Sequence, residues 1–107
     1  MKYTSSVNND PLITFLINQA KETPEIELLT LFGSRARSDH HPKSDYDIAV
    51  TAPKFSHSDW SIWSLRLKEN APTLCGLDLV LLNETTSSEL RQRIQTEGVT
   101  LYEKKSS

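Results

Sequence analysis

The stretch from Gly33 to Val50, GSRARSDHHPKSDYDIAV, constrains this chain more than any other. It leaves an apolar run, Leu28-Leu29-Thr30-Leu31-Phe32, and bends at Gly33-Ser34. It then crosses a basic segment and ends in Asp45-x-Asp47 running into Ile48-Ala49-Val50. At average residue frequencies, Gly-Ser and Asp-x-Asp at this fixed gap arise together by accident in roughly one chain in a thousand of this length. The context fits as well. A strand feeding a Gly-Ser bend at a helix start is a phosphate cradle, because unpaired backbone N–H groups point at the anion. Two aspartates two apart on a strand project from the same face, so both can ligate one metal pair.

A chain of 107 residues reads as one domain, 1–107, with polar ends (1–9 and 104–107) expected to be flexible. The net charge of −2 gives no bulk attraction to nucleic acid or to an anionic membrane, so neither is expected as a partner. No apolar run reaches membrane-span length and Met1–Asp10 has no signal-peptide core, which makes a cytoplasmic location the expectation. Cys75 stands alone and reads as a small half-buried filler beside Gly76.

In chain order, Asp10-Pro11 predicts a helix start, with Leu12, Ile13, Leu16, Ile17 and Ala20 on one face and Pro24 as its end. Leu28–Phe32 is a buried strand, Arg35–Arg37 the first turn of a brief helix, and Asp39–Ser44 a loop. Asp45–Thr51 is a second strand: Tyr46, Ile48 and Val50 share one face, Asp45, Asp47, Ala49 and Thr51 the other. From Ser58 to Asn70 the pattern is helical, with Trp60, Trp63 and Leu67 as a stripe and Ile62 and Leu65 beside it. At that spacing the tryptophans read as core anchors rather than as base-stacking platforms. Leu77–Asn83 is a third strand, with Asp78, Val80 and Leu82 on one face. Thr86-Ser87-Ser88-Glu89 has the capping-box pattern and starts a last helix, which Gly98 ends before a short strand at Val99–Tyr102. Helices and strands alternate throughout, which indicates an α/β fold.

Aspartate is disfavoured in strands, yet Asp45, Asp47 and Asp78 all fall at strand positions. One such residue is an ordinary turn or edge charge. Three are explained together by a single site in which neighbouring strands place them on one face. Such carboxylates repel unless cations lie among them. Mg²⁺ suits them, since it takes oxygen ligands and is held by a few carboxylates plus substrate phosphates. Two ions about 3.5–4 Å apart can clamp the attacking and leaving oxygens of an in-line displacement at phosphorus. Arg35, Arg37 and Lys43, opposed only by Asp39, supply positive charge suited to a triphosphate. His40 and His41 lack a sensible zinc ligand set and read as solvated loop residues.

Gly33-Ser34, the spacing to Asp45-x-Asp47 and the later strand Asp78 resemble the signature of polymerase-β-type nucleotidyltransferases. The GSRAR and SDYDIAV segments and the ending LRQRIQTEGVTLYE resemble the minimal nucleotidyltransferases among them, over about Leu12 to Glu103. The resemblance implies a short mixed sheet with helices on one face and the catalytic site on the other. It implies that Gly33 and Ser34 hold the triphosphate of ATP, assisted by Arg35 and Arg37, and that Asp45 and Asp47 bind two Mg²⁺ ions. Asp78 would complete the metal site and help to deprotonate the attacking hydroxyl. Many such proteins act as antitoxins to a HEPN-domain ribonuclease toxin, forming a hetero-oligomer with it and transferring AMP from ATP to one of its tyrosines.

Val80 and Leu82 share the proposed catalytic face, and no second domain is read in this sequence to cover them. That favours closure by a partner protein, the alternative being that the last helix folds over them. The rival readings are an antitoxin that acts by binding alone and a nucleotidyltransferase that modifies a small molecule.

Overall fold

The computed structural model describes residues 10–37, 44–83 and 86–105. Its first helix, α1 (Pro11–Lys21), begins where Asp10-Pro11 predicts. The Asp10 carboxylate accepts from the Leu12 amide at 2.9 Å, and the proline sits in the first turn, where its missing N–H costs nothing. Leu12, Ile13, Leu16 and Ala20 form the buried stripe. The helix stops at Lys21, before Pro24. A proline pushes its preceding residue out of the helical region, and here Thr23 closes a turn instead, its amide donating to the Ala20 carbonyl at 3.1 Å.

Four strands, β1 (Leu28–Phe32), β2 (Tyr46–Thr51), β3 (Leu77–Leu82) and β4 (Val99–Glu103), form one sheet in the order β3-β2-β1-β4. β1 runs antiparallel to both β2 and β4, while β2 and β3 are parallel. A parallel pair needs a crossover, and α3 (His57–Asn70) supplies it. Two further helices complete the described chain: α2 (Ser34–Arg37), directly after β1, and α4 (Ser88–Glu97), between β3 and β4. The last helix starts one residue later than the capping-box pattern predicts. Ser87 is its N-cap, accepting from the Leu90 amide at 3.1 Å, because the Thr86 hydroxyl is already accepting from the Asn83 amide at 3.0 Å.

The main core lies on one face of the sheet. Leu29 and Leu31 of β1 and Ile48 and Val50 of β2 pack there with the α1 stripe, Leu67 of α3 and Leu101 of β4. Trp60 and Trp63 lean on the same cluster, and the Trp63 indole N–H donates to Thr23 Oγ1 at 3.2 Å, in keeping with core anchors. Ile62 and Leu65 do not join them; they are 55% and 57% exposed. At about 100° per residue they lie on the far side of α3 from the Trp60–Trp63–Leu67 stripe.

The opposite face carries a second, smaller cluster. Phe32, Ala49 and Ile94 are buried there, with Val80, Leu82 and Leu90 packed against them. The last helix therefore lies on the same side of the sheet as Asp47 and Asp78, and its Leu90 and Ile94 cover Val80 and Leu82. Of the two covers expected for those residues, a partner or the last helix, the helix is the one that packs on them. At the far end, Lys104 is no free tail: its amide donates to the Glu27 carbonyl and its ammonium to the Pro24 carbonyl, both at 2.9 Å.

Candidate active site

The site grows out of the ends of three strands. β1 delivers Gly33, whose φ of +78° lies in the left-handed region that a side chain resists. The Gly33 carbonyl accepts from the amides of both Ala36 and Arg37 at 3.1 Å, so the bend closes directly into α2, of which Ser34 is the first residue. A second constraint fixes glycine there: a Cβ at Gly33 would collide with the Asp47 carboxylate.

β2 pairs Asp47 with Phe32 of β1 on one side and with Asp78 of β3 on the other. Asp47 and Asp78 thus sit side by side, on the face away from Ile48 and Leu79, and Asp45 precedes them at the mouth of the same strand. Asp45 and Asp78 are exposed and Asp47 is half-buried. The Asp47 carboxyl titrates above its ordinary value of 3.8, first because burial disfavours its charge and then because Asp78 and Asp45 repel it. The guanidinium groups of Arg93 and Arg37 oppose that rise.

The carboxylates of Asp45, just ahead of β2, and of Asp47, within it, lean apart. Asp47 reaches toward Gly33, on the β1 side, while Asp45 lies against Gly76, on the β3 side, where a Cβ would meet its Oδ1. Among the described residues, no three His, Cys, Asp or Glu side chains converge tightly enough to hold an ion as they stand. The donors nevertheless fit a hard cation: they are all carboxylate oxygens, they share a face, and their mutual repulsion is what a bound cation would relieve.

The two arginines that follow the bend part company. Arg37 stays on the carboxylate side and forms an ion pair with Glu97 of α4 at 3.1 Å. Arg35 goes the other way. Its guanidinium lies 4.0 Å over the Tyr46 ring, on the face opposite Asp45 and Asp47. There it donates to the Ser44 carbonyl at 3.3 and 3.1 Å and to Cys75 Sγ at 3.6 Å. Beneath it the Tyr46 hydroxyl donates to Asp10 at 2.5 Å, and burial together with that bond pushes the phenol up to about 12. Arg35 therefore braces the entry to β2 from behind. His40, His41 and Lys43 lie outside the described residues.

Arg93 and Glu97 are the site neighbours that the sequence does not single out. As an i,i+4 pair, separated by 3.8 Å, they read as an ordinary helix-surface pair until α4 is known to lie on the carboxylate face.

Comparison with known proteins follows the same lines. The family model described as Polymerase beta, Nucleotidyltransferase matches residues 15–107. No curated protein sequence matches the chain significantly. Among solved structures, a chain of a toxin–antitoxin complex with AMP-PNP superposes with a TM-score of 0.69 at 28% identity, covering 86% of this chain and 73% of that one. The complex of a tri-AMPylated Shewanella oneidensis HEPN toxin with its MNT antitoxin gives a TM-score of 0.63 at 26% identity, over 86% of this chain and 70% of that one. The MntA–HepT toxin–antitoxin gives 0.62 at 26% identity, with the same coverages.

Proposed function

This chain belongs to the polymerase-β nucleotidyltransferase family, and from that premise we propose that it is an antitoxin that transfers AMP from ATP to a tyrosine of a HEPN-type ribonuclease toxin. The observation that carries the chemistry is the side-by-side placement of Asp47 and Asp78 beside the Gly33 bend, with Asp45 on the same face. Similarity to antitoxins in complexes with HEPN toxins, one of them tri-AMPylated, supports the acceptor.

Gly33 and Ser34 take the triphosphate, the glycine allowing close backbone approach and the serine offering its amide and hydroxyl. Asp45, Asp47 and Asp78 would hold Mg²⁺, which when bound neutralises phosphate charge and lowers the pKa of the attacking hydroxyl. The acceptor oxygen forms a bond to the α-phosphorus as the bond from that phosphorus to the bridging oxygen breaks. Pyrophosphate departs, and the hydroxyl proton passes to the Asp78 carboxylate and then to water. Catalysis is positioning and charge balance, with no covalent intermediate on the protein. Arg35 serves indirectly, by fixing the backbone at Ser44 just ahead of Asp45.

The test is intact mass spectrometry of the cognate HEPN ribonuclease after incubation with this protein, ATP and Mg²⁺. One or more AMP adducts on a tyrosine, lost with Asp47→Asn, are expected. Full inhibition of the ribonuclease without any adduct would overturn the catalytic reading in favour of simple binding.

A further inference from the structure

The first residue of β2 is held differently from the rest of the strand. The ladder between β1 and β2 runs from Leu28–Thr51 to Phe32–Asp47 and stops there, because the chain leaves β1 at the Gly33 bend. Tyr46 therefore has its strand neighbour on the β3 side, where it pairs with Leu77 and its amide donates to the Gly76 carbonyl at 2.9 Å. Asp45, one residue further out, lies beyond both ladders.

Side chains supply the restraint that the β1 ladder does not. Tyr46 points into the main core, away from the carboxylates, and is 6% exposed. Its hydroxyl donates to Asp10 Oδ2 at 2.5 Å. The other oxygen of that carboxylate, Oδ1, accepts from the Leu12 amide at 2.9 Å and caps α1. One side chain thus ties the start of α1 to the start of β2. The Arg35 guanidinium, 4.0 Å over the ring, completes the clamp.

Asp45 and Asp47 flank Tyr46 in sequence and project from the opposite face. Rotation of the strand end about its own axis would swing the ring one way and both carboxylates the other. A bond at the hydroxyl, the far end of a rigid ring, resists that rotation with the longest lever the residue offers. We propose that Asp10 and Tyr46 are positioning residues for the carboxylates, fixing the twist of β2 at its entry and so the placement of Asp45 relative to Asp47 and Asp78. This rests on the carboxylate site of the nucleotide-transfer reading above. The pair lies on the face away from the Gly33 bend's partner Asp47, so it acts on metal binding and turnover rather than on the affinity for ATP.

The experiment follows two quantities in the whole protein: the Mg²⁺ concentration that gives half of the metal-induced rise in melting temperature, and kcat and KM for AMP transfer at saturating Mg²⁺. Tyr46→Phe keeps the ring under Arg35 and the cap on α1. Asp10→Ser keeps the cap, since serine caps as well as aspartate, but has one oxygen where aspartate has two. Each is expected to raise the Mg²⁺ midpoint about two- to fivefold and to lower kcat about five- to tenfold, with KM for ATP within about twofold. Asp10→Asn, which can still accept both bonds without the charge, falls between these variants and wild type. The double variant is no worse than either single one, because both remove the same bond. A merely structural bond would lower the melting temperature and leave the Mg²⁺ midpoint and kcat of the folded variants at wild-type values, which would overturn the proposal. So would a loss in Asp10→Ser that Tyr46→Phe does not share. A wild-type melting temperature that does not respond to Mg²⁺ would instead sink the carboxylate site itself, a result separable from these.

Discussion

Asp47 of β2 and Asp78 of β3 are register partners across the parallel strand pair, and both point to the face opposite Ile48 and Leu79. Their proximity without a bound cation sets up a conflict between folding and function. Replacing Asp47 by asparagine keeps the shape and removes the charge. Transfer of AMP by Asp47→Asn should fall by at least on the order of 100-fold, as mass spectrometry of the acceptor would register. The melting temperature of the metal-free variant should equal or exceed that of wild type. A fall in stability together with activity would mean that Asp47 is a structural residue.

Burial of Asp47, and after it the same repulsion, gives a pH dependence with an inverted sign for a carboxylate. Asp47 titrates above 3.8 in the fold, so folding favours its protonated form. Its contribution to stability is fully present below about pH 3.8 and is lost as pH rises through the elevated folded value. In chelator, the melting temperature of wild type minus that of Asp47→Asn should therefore become more negative from pH 4 to 7. Mg²⁺ should raise the wild-type value more at pH 7 than at pH 4, because protonated carboxyls are poor ligands. A difference that is flat with pH would show that neither burial nor the neighbouring carboxylates disfavour the charge on Asp47.

Gly33→Ala tests the bend. A side chain at φ +78° costs roughly 1–2 kcal/mol, and the new Cβ would displace the Asp47 carboxylate. Denaturant midpoints should show that loss, and activity should drop much further than stability alone explains. Gly76→Ala is the milder counterpart. It meets only the end of the Asp45 side chain, which can swing away, so its effect belongs to activity more than to folding.

Arg35→Ala separates bracing from phosphate binding. Loss of the stack on Tyr46 and of the bonds to the Ser44 carbonyl should cost about 1 kcal/mol in a denaturation experiment. It should lower kcat through misplacement of Asp45, with little change in the affinity for ATP. An ATP affinity weakened tenfold would instead return Arg35 to the triphosphate.

How far the sequence could be read follows from the reach of each pattern. The two-residue period of a strand puts Asp45 and Asp47 on one face whatever the rest of the fold does, and this much is legible. Asp78 needed the further knowledge that β3 lies beside β2 in parallel register, which local pattern does not contain. Arg35 and Arg37 look equivalent in GSRAR, but two residues apart on a helical turn means about 200°, so one bend cannot aim both at the same anion. Arg93 and Glu97 were hidden for a different reason. Their place beside the carboxylates comes from where α4 lands, and the α4 apolar stripe, Leu90 and Ile94, is too short to say which face of the sheet it covers.

That landing is itself testable through Ile94, 7% exposed and packed with Phe32 and Ala49 beneath α4. Ile94→Ala removes the main apolar anchor of the helix and should cost roughly 2–5 kcal/mol, measured by denaturation. The consequence for the site goes beyond stability. With α4 loosened, Glu97 no longer holds Arg37 at a fixed place, and Val80 and Leu82 lose their cover. At temperatures where the variant remains folded, it should bind an apolar dye more strongly than wild type, and its affinity for ATP should fall. Ile94→Val keeps most of the contact and should leave ATP binding near wild type, with a stability loss of about 0.5–1.5 kcal/mol. If Ile94→Ala were as stable as wild type and bound no more dye, the last helix would not be the lid over Val80 and Leu82, and those residues would again require a partner to cover them.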